Sequence, residues 1–190
     1  MGSFELEIST KKKIAITLHE LVCKKEYEKI RIDDIAAAVP VSRRTFYNYF
    51  HDKNEVIQYI ITEQFMEHAF PICKAGFGKK GLIVFFRYIE EDRIFYQSLV
   101  RYENGYLLQD ALIQTYDQAV ERVKEYAHPV QNREKRINPD IYKIYTHSAL
   151  AATIVYWLKS GMKISVDDIS RDTALMLEYP HSFIRDRYLL

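Results

Sequence analysis

Residues 42–50 read Ser-Arg-Arg-Thr-Phe-Tyr-Asn-Tyr-Phe, which sets two guanidinium groups, two aliphatic hydroxyls and two phenols within nine positions. On a helix of 3.6 residues per turn, Phe46 and Phe50 share one face and can pack inward, with Ile35 and Leu21 as partners. Arg43, Arg44, Thr45, Tyr47 and Tyr49 are left on the exposed side and the leading end. An arginine fork matches guanine edges or phosphate, and a tyrosine hydroxyl reaches phosphate oxygens without adding charge. Lys53 adds a cation at the start of the next helix, where free backbone N–H groups already favour an anion. The chemistry on offer is therefore recognition of phosphates and base edges, with Ser42 as the N-cap that starts the segment.

These side chains need a scaffold, and helical spacing supplies it. Six glycines and five prolines in 190 residues leave little punctuation, and no strand-like alternation of convincing length appears. Ser9 or Thr10 caps a first helix with Ile14, Ile16, Leu18, Leu21 and Val22 on a broad stripe, fading at Lys24-Lys25. Further helices are expected over 32–39, 43–49, 53–69, 80–91, 92–102, 105–127, 139–160 and 165–178. Pro71 is expected to end the fourth of the nine, and the glycine cluster AGFGKKG at 75–81 reads as the joint. Asn138-Pro139 starts the penultimate helix, Gly161 caps its end, and Ser165 with Asp168 starts the last. The fold class is all-α: an N-terminal three-helix helix-turn-helix head over 1–54 and a larger helical body over 55–190.

Composition narrows the function classes. A charged fraction of 28% excludes a membrane-embedded chain, and no apolar run approaches the roughly 20 residues of a membrane helix. The N-terminus has no apolar segment followed by a cleavage site, so a cytoplasmic location is expected. Cys23 and Cys73 match no metal or redox spacing, and the six histidines form neither an H-x-x-x-H nor an H-E-x-x-H pattern. No glycine-rich phosphate loop exists, so no enzyme activity, cofactor or metal is expected. A net charge of +1 argues only weakly against nucleic acid, which needs a local basic face rather than a basic whole.

Residues 30–57, IRIDDIAAAVPVSRRTFYNYFHDKNEVI, resemble the DNA-binding signature of the tetracycline-repressor (TetR) family. The matching positions include Ile30, Ile32, Ile35, Ala36, Val41, Ser42, Thr45, Phe46, Tyr47, Tyr49, Phe50 and Lys53. The resemblance implies a homodimeric transcription regulator, by default a repressor, on a near-palindromic DNA operator. Arg43, Arg44 and Thr45 would then approach bases, and Tyr47, Tyr49 and Lys53 would hold phosphates. Two positions depart from the pattern. Arg31 stands where the family has a capping threonine, so that cap is lost, although a cation there can reach phosphate. Pro40 replaces the turn glycine; with its φ fixed near −65°, it should shorten the preceding helix by a residue and force a different turn.

Residues 141–178 resemble, more loosely, the last two helices of a subgroup of the same family, with Trp157 to Met162 closing the penultimate helix. Small residues midway, Ser148, Ala149, Ala151 and Ala152, with Tyr156 beyond, would let a second copy approach in a four-helix dimer interface. Phe65, Phe86, Tyr96, Tyr102, Tyr106 and Tyr116 are candidates to line a pocket for a small apolar or aromatic effector. A protein co-regulator is the other effector class. The alternative function is a helical protein-interaction adaptor that has lost specific DNA binding, for which Pro40 is the argument.

Overall fold

The computed structural model describes residues 8–76, 78–124 and 138–178, and every element among them is helical. The last expected turn of the seventh helix, 125–127, lies outside the described residues, as do His128 and His181. The helices are α1 (Thr10–Lys24), α2 (Ile32–Ala38), α3 (Arg43–Tyr47), α4 (Lys53–His68), α5 (Phe70–Lys74), α6 (Gly78–Glu91), α7 (Arg93–Arg101), α8 (Tyr106–Lys124), α9 (Pro139–Lys159) and α10 (Val166–Glu178). All nine expected helices are present, and α5 is an addition. Pro71, expected to stop α4, lies instead in the first turn of α5, where its missing N–H removes no helical bond.

The head forms because α1 buries Ile14, Leu18 and Val22 at four-residue spacing while α2 and α3 contribute Ile35, Ala36 and Phe46. Phe50, just past α3, is also buried. α4 carries Val56, Ile57, Ile60, Ile61 and Phe65 into the same continuous core and packs on both α1 and α8. The expected boundary at residue 54 thus falls in the first turn of α4. In the body, α8 packs on α9 and α6 on α10, around Phe85, Phe86, Tyr96, Leu112 and Trp157.

The glycine cluster is less a joint than a packing site. Gly81 is buried inside α6, and a Cβ there would lie 2.2 Å from Cys73 Sγ and 3.1 Å from the Ala69 carbonyl. Glycine is what lets α5 and α6 touch.

Candidate nucleic-acid interface

Ser42 starts α3 as expected: its Oγ accepts the Thr45 N–H at 3.0 Å and lies 2.8 Å from Thr45 Oγ1. Two of the expected DNA-facing hydroxyls therefore hold each other at the helix entrance, with Thr45 half-buried. Phe46 and Phe50 are buried and anchor the helix from behind, Phe50 also meeting Tyr59 edge-on at 5.6 Å. Arg43, Arg44, Tyr47 and Tyr49 are exposed on the outer side. Arg43 sits against the Tyr47 hydroxyl and donates Nη1 to Asp33 at 3.1 Å, so its fork is aimed before any ligand arrives. The Arg44 guanidinium has no partner among the described residues, which leaves all its donors available.

At Arg31 the side-chain cap is lost, as expected. An arginine cannot accept a hydrogen bond, so it cannot cap α2 with its side chain. The cap comes from the other end instead: Asp34 accepts the Arg31 backbone N–H at 2.8 Å and Lys25 Nζ at 2.9 Å. These bonds, the backbone one foremost, hold the Asp34 carboxyl below the usual aspartate range. The Arg31 side chain stays exposed at the head of α2.

Lys53 has a structural task that its sequence position did not reveal. Its ammonium donates to the Tyr27 and Ile30 carbonyls at 2.7 and 2.9 Å and lies 4.2 Å from the Tyr27 ring centroid. Burial pushes its pKa down. Tyr27, which the sequence reading did not single out, sits in the 3-10 turn Tyr27–Lys29 and donates its hydroxyl to Asn54 at 2.5 Å. Lys53 thus ties the α1–α2 connection to α4 and keeps one N–H for an outside acceptor.

The turn between α2 and α3 retains the shape expected for glycine. α2 ends at Ala38, one residue short of the expected Val39, and Pro40 has φ +28°. The Val41 N–H bonds to the Ala36 carbonyl at 3.0 Å, which is the long bond of a Schellman cap with Pro40 at its left-handed position. The shorter bond of that cap needs an N–H at residue 40, which proline lacks. The chain shows the complete motif at the end of α9. There, Met162 N–H reaches Trp157 O at 2.9 Å, Gly161 N–H reaches Leu158 O at 3.1 Å, and Gly161 has φ +77°. The expectation of a differently built turn is therefore corrected: the backbone takes the positive φ that a turn glycine would supply, and Pro40 bears the strain.

With this geometry in view, sequence comparison identifies the head. Residues 19–60 match the family described as "Bacterial regulatory proteins, tetR family", and residues 79–179 match "Transcriptional regulator C-terminal region". The chain belongs to the TetR family. It is 30% identical over 106 residues to the HTH-type dhaKLM operon transcriptional activator DhaS of Lactococcus lactis subsp. lactis (strain IL1403). That stretch spans 54% of this chain and 57% of the relative. The fold is shared with a solved dihydroxyacetone kinase operon activator DhaS at TM-score 0.57 and 19% identity, covering 90% of this chain and 95% of that one. It is also shared with the fatty acid degradation regulator FadR from Bacillus halodurans at TM-score 0.52 and 14% identity, covering 91% and 96%.

The six effector candidates in this TetR-family body do not share one environment. Phe65 meets Phe85 and Tyr116 edge to face at 5.0 and 5.6 Å, and Phe86 meets Trp157 at 5.4 Å. Tyr96 is fully buried beside Phe95, with its hydroxyl donated to Gln64 at 2.7 Å. Tyr106 is 69% exposed. Tyr102 alone of the six lines a cleft of about 500 Å³ between α1 and α7, whose other walls include Lys24, Lys25, Glu26 and Arg101. The Tyr116 hydroxyl is buried with no hydrogen-bond partner among the described residues, in an aromatic cluster that also brings the His147 ring to 6.0 Å. On α9, Ala149, Ala152 and Tyr156 face outward in line with Ile141 and Tyr145, and Ser148 is half-buried beside them. Ala151 points into the core instead.

Proposed function

We propose that this chain is a homodimeric transcription regulator that binds a near-palindromic double-stranded DNA operator in the cytoplasm through α3. The observation that carries this reading is the exposed row Arg43, Arg44 and Tyr47 on a capped helix, with Tyr49 in the turn that follows it, all anchored by Phe46 and Phe50. Arg44 reads a base edge, with Arg43 held beside it by Asp33. Tyr47, Tyr49 and the remaining donor of Lys53 hold phosphates, and Arg31 reaches the backbone from the head of α2. Ser42 and Thr45 act first on the helix cap.

The outward stripe Ile141, Tyr145, Ala149, Ala152 and Tyr156 supports a dimer built on α9, because a second copy would bury an apolar face that is otherwise wet. An effector reading rests on two places. The buried, unpartnered Tyr116 hydroxyl suits a polar group brought into the aromatic cluster, and the charged cleft beside Tyr102 suits a polar effector better than an apolar one. Repression by blocking a promoter is the first reading of sign. Activation is the second, favoured by the activator role of the Lactococcus lactis relative.

The test is selection of bound sequences from random duplex DNA, with the winners retested across a salt series. The expected winner is a palindrome with half-sites about 34–36 Å apart. Arg44→Ala should cost about 1–3 kcal/mol at one base position. Arg31→Ala should weaken all sequences alike and lower the salt slope by about one. A folded dimer that selects no sequence would refute the reading in favour of the adaptor.

A further inference from the structure

His19 and Cys23 stand four residues apart on α1 and so share one face, toward the body. Asp92, from the start of α7, meets them there. A ring nitrogen of His19, Cys23 Sγ and an Asp92 carboxylate oxygen all lie within 4.8 Å of one another, and none of the three residues is exposed. Asp92 occupies the N-cap position of α7 but does not cap it. Its Oδ2 faces His19 Nε2 at 2.7 Å and accepts from Gln64 Nε2 at 3.3 Å, and Gln64 in turn accepts from Tyr96. The His19 ring is stacked on Phe95 at 4.5 Å. Each of the two ring or carboxylate donors is thus oriented from behind, as supporting groups orient metal ligands.

We propose that His19, Cys23 and Asp92 bind a transition-metal cation of the zinc class and that this cation clamps the head helix α1 to α7 of the body. One nitrogen, one sulfur and one oxygen suit zinc and exclude a magnesium or calcium preference, since those ions select all-oxygen sets. Tetrahedral bonds of roughly 2.0–2.3 Å put donor atoms about 3.3–3.7 Å apart. The His19–Asp92 contact must therefore open slightly while Cys23 moves in, a change within side-chain reach. Cys23 also lines the cleft of about 500 Å³, which leaves a solvent-side route for the ion and a fourth ligand such as water. Because α1 belongs to the head, the clamp fixes the head's angle and so the reach of α3. That last consequence rests on the DNA-binding reading; the metal site does not.

The experiment is titration of the full chain with cobalt(II), then displacement by zinc, in wild type, Cys23→Ser and Cys73→Ser. One thiolate-to-cobalt absorption band per chain is expected in wild type and Cys73→Ser and is lost in Cys23→Ser, with zinc raising the melting temperature only where the band exists. No band, or a band that survives Cys23→Ser, overturns the site. Should Cys23→Ser fail to fold, Asp92→Asn serves, with at least about tenfold weaker zinc expected and equal affinity overturning it. Operator affinity with and without zinc then tests the clamp. A zinc effect absent from Cys23→Ser supports coupling, and an unchanged affinity beside a confirmed band removes it. A band in a protein that binds no operator would instead defeat the DNA reading and leave the metal site standing.

Discussion

Pro40→Gly should make this protein more stable, although glycine ordinarily costs stability. Three terms decide it. Pro40 lies at φ +28°, far from the −65° its ring prefers, and a residue held in a forbidden region stores about 1–3 kcal/mol. Glycine also returns an N–H aimed at the Ala37 carbonyl. That bond completes the Schellman cap and adds about 0.5 kcal/mol, the low end of the usual range because Ala37 is exposed. Against these stands the extra freedom of glycine in the unfolded chain, about 0.4–1 kcal/mol. The balance is near 2 kcal/mol, or about 4–8 °C in melting temperature for a chain of this size.

The assay is thermal and urea unfolding followed by far-ultraviolet circular dichroism, at one fixed protein concentration because a dimer's stability depends on it. Gly161→Ala is the internal control. It occupies the corresponding position after α9 at φ +77°, and a Cβ there meets nothing within 4 Å, so its cost is conformational alone. About 1 kcal/mol of destabilisation is expected. If Pro40→Gly leaves stability unchanged or lowers it while Gly161→Ala behaves as stated, proline sits at its own preferred φ. The turn would then have another shape, and the angle of α3 would have to be argued afresh.

Gly81→Ala should cost about 1–3 kcal/mol, because its Cβ would strike Cys73 Sγ. Gly81→Ala combined with Cys73→Ala should recover most of that loss, as a double-mutant cycle in urea would read. Asp34 and Glu55 have folded pKa values held below the carboxylate range, each chiefly by a backbone N–H, from Arg31 and His51 respectively. Their contribution is present above about pH 4 and is lost as pH falls through the lowered folded values. The urea midpoint should therefore drop on that acid limb, and Asp34→Asn should make the drop shallower. Ala152→Arg would set an unpaired charge in the proposed α9 interface at a cost on the order of 3 kcal/mol, weakening the dimer about 100-fold. Sedimentation should show monomer, with the circular dichroism spectrum unchanged.

Which parts of this molecule could be read from its sequence follows from how far apart the cooperating residues lie. Ser42, Asn138 and Ser165 act on N–H groups two or three residues away, so their caps were visible as local patterns. The exposure of Arg43, Arg44, Tyr47 and Tyr49 was equally legible, since burial of Phe46 and Phe50 leaves the remaining positions only one way to face. Aromatic content carried no such direction. Phe65, Phe86 and Tyr116 serve the core because their partners Phe85 and Trp157 arrive from other helices, which residue type alone does not specify. One residue of rotation, about 100° on a helix, separates buried Ala151 from exposed Ala152, so a cluster of small residues suggested the interface but not its members. His19 and Cys23 show the limit most clearly. Their four-residue spacing was in the sequence, but it acquires meaning only when Asp92, 73 positions after His19, is brought alongside. Lys53 teaches the same lesson from the other side: a cation placed to meet phosphate is also placed to hold the Tyr27 and Ile30 carbonyls. In this chain Lys53 serves the architecture of the head, and Lys53→Met should loosen α1–α2 before it alters any salt slope.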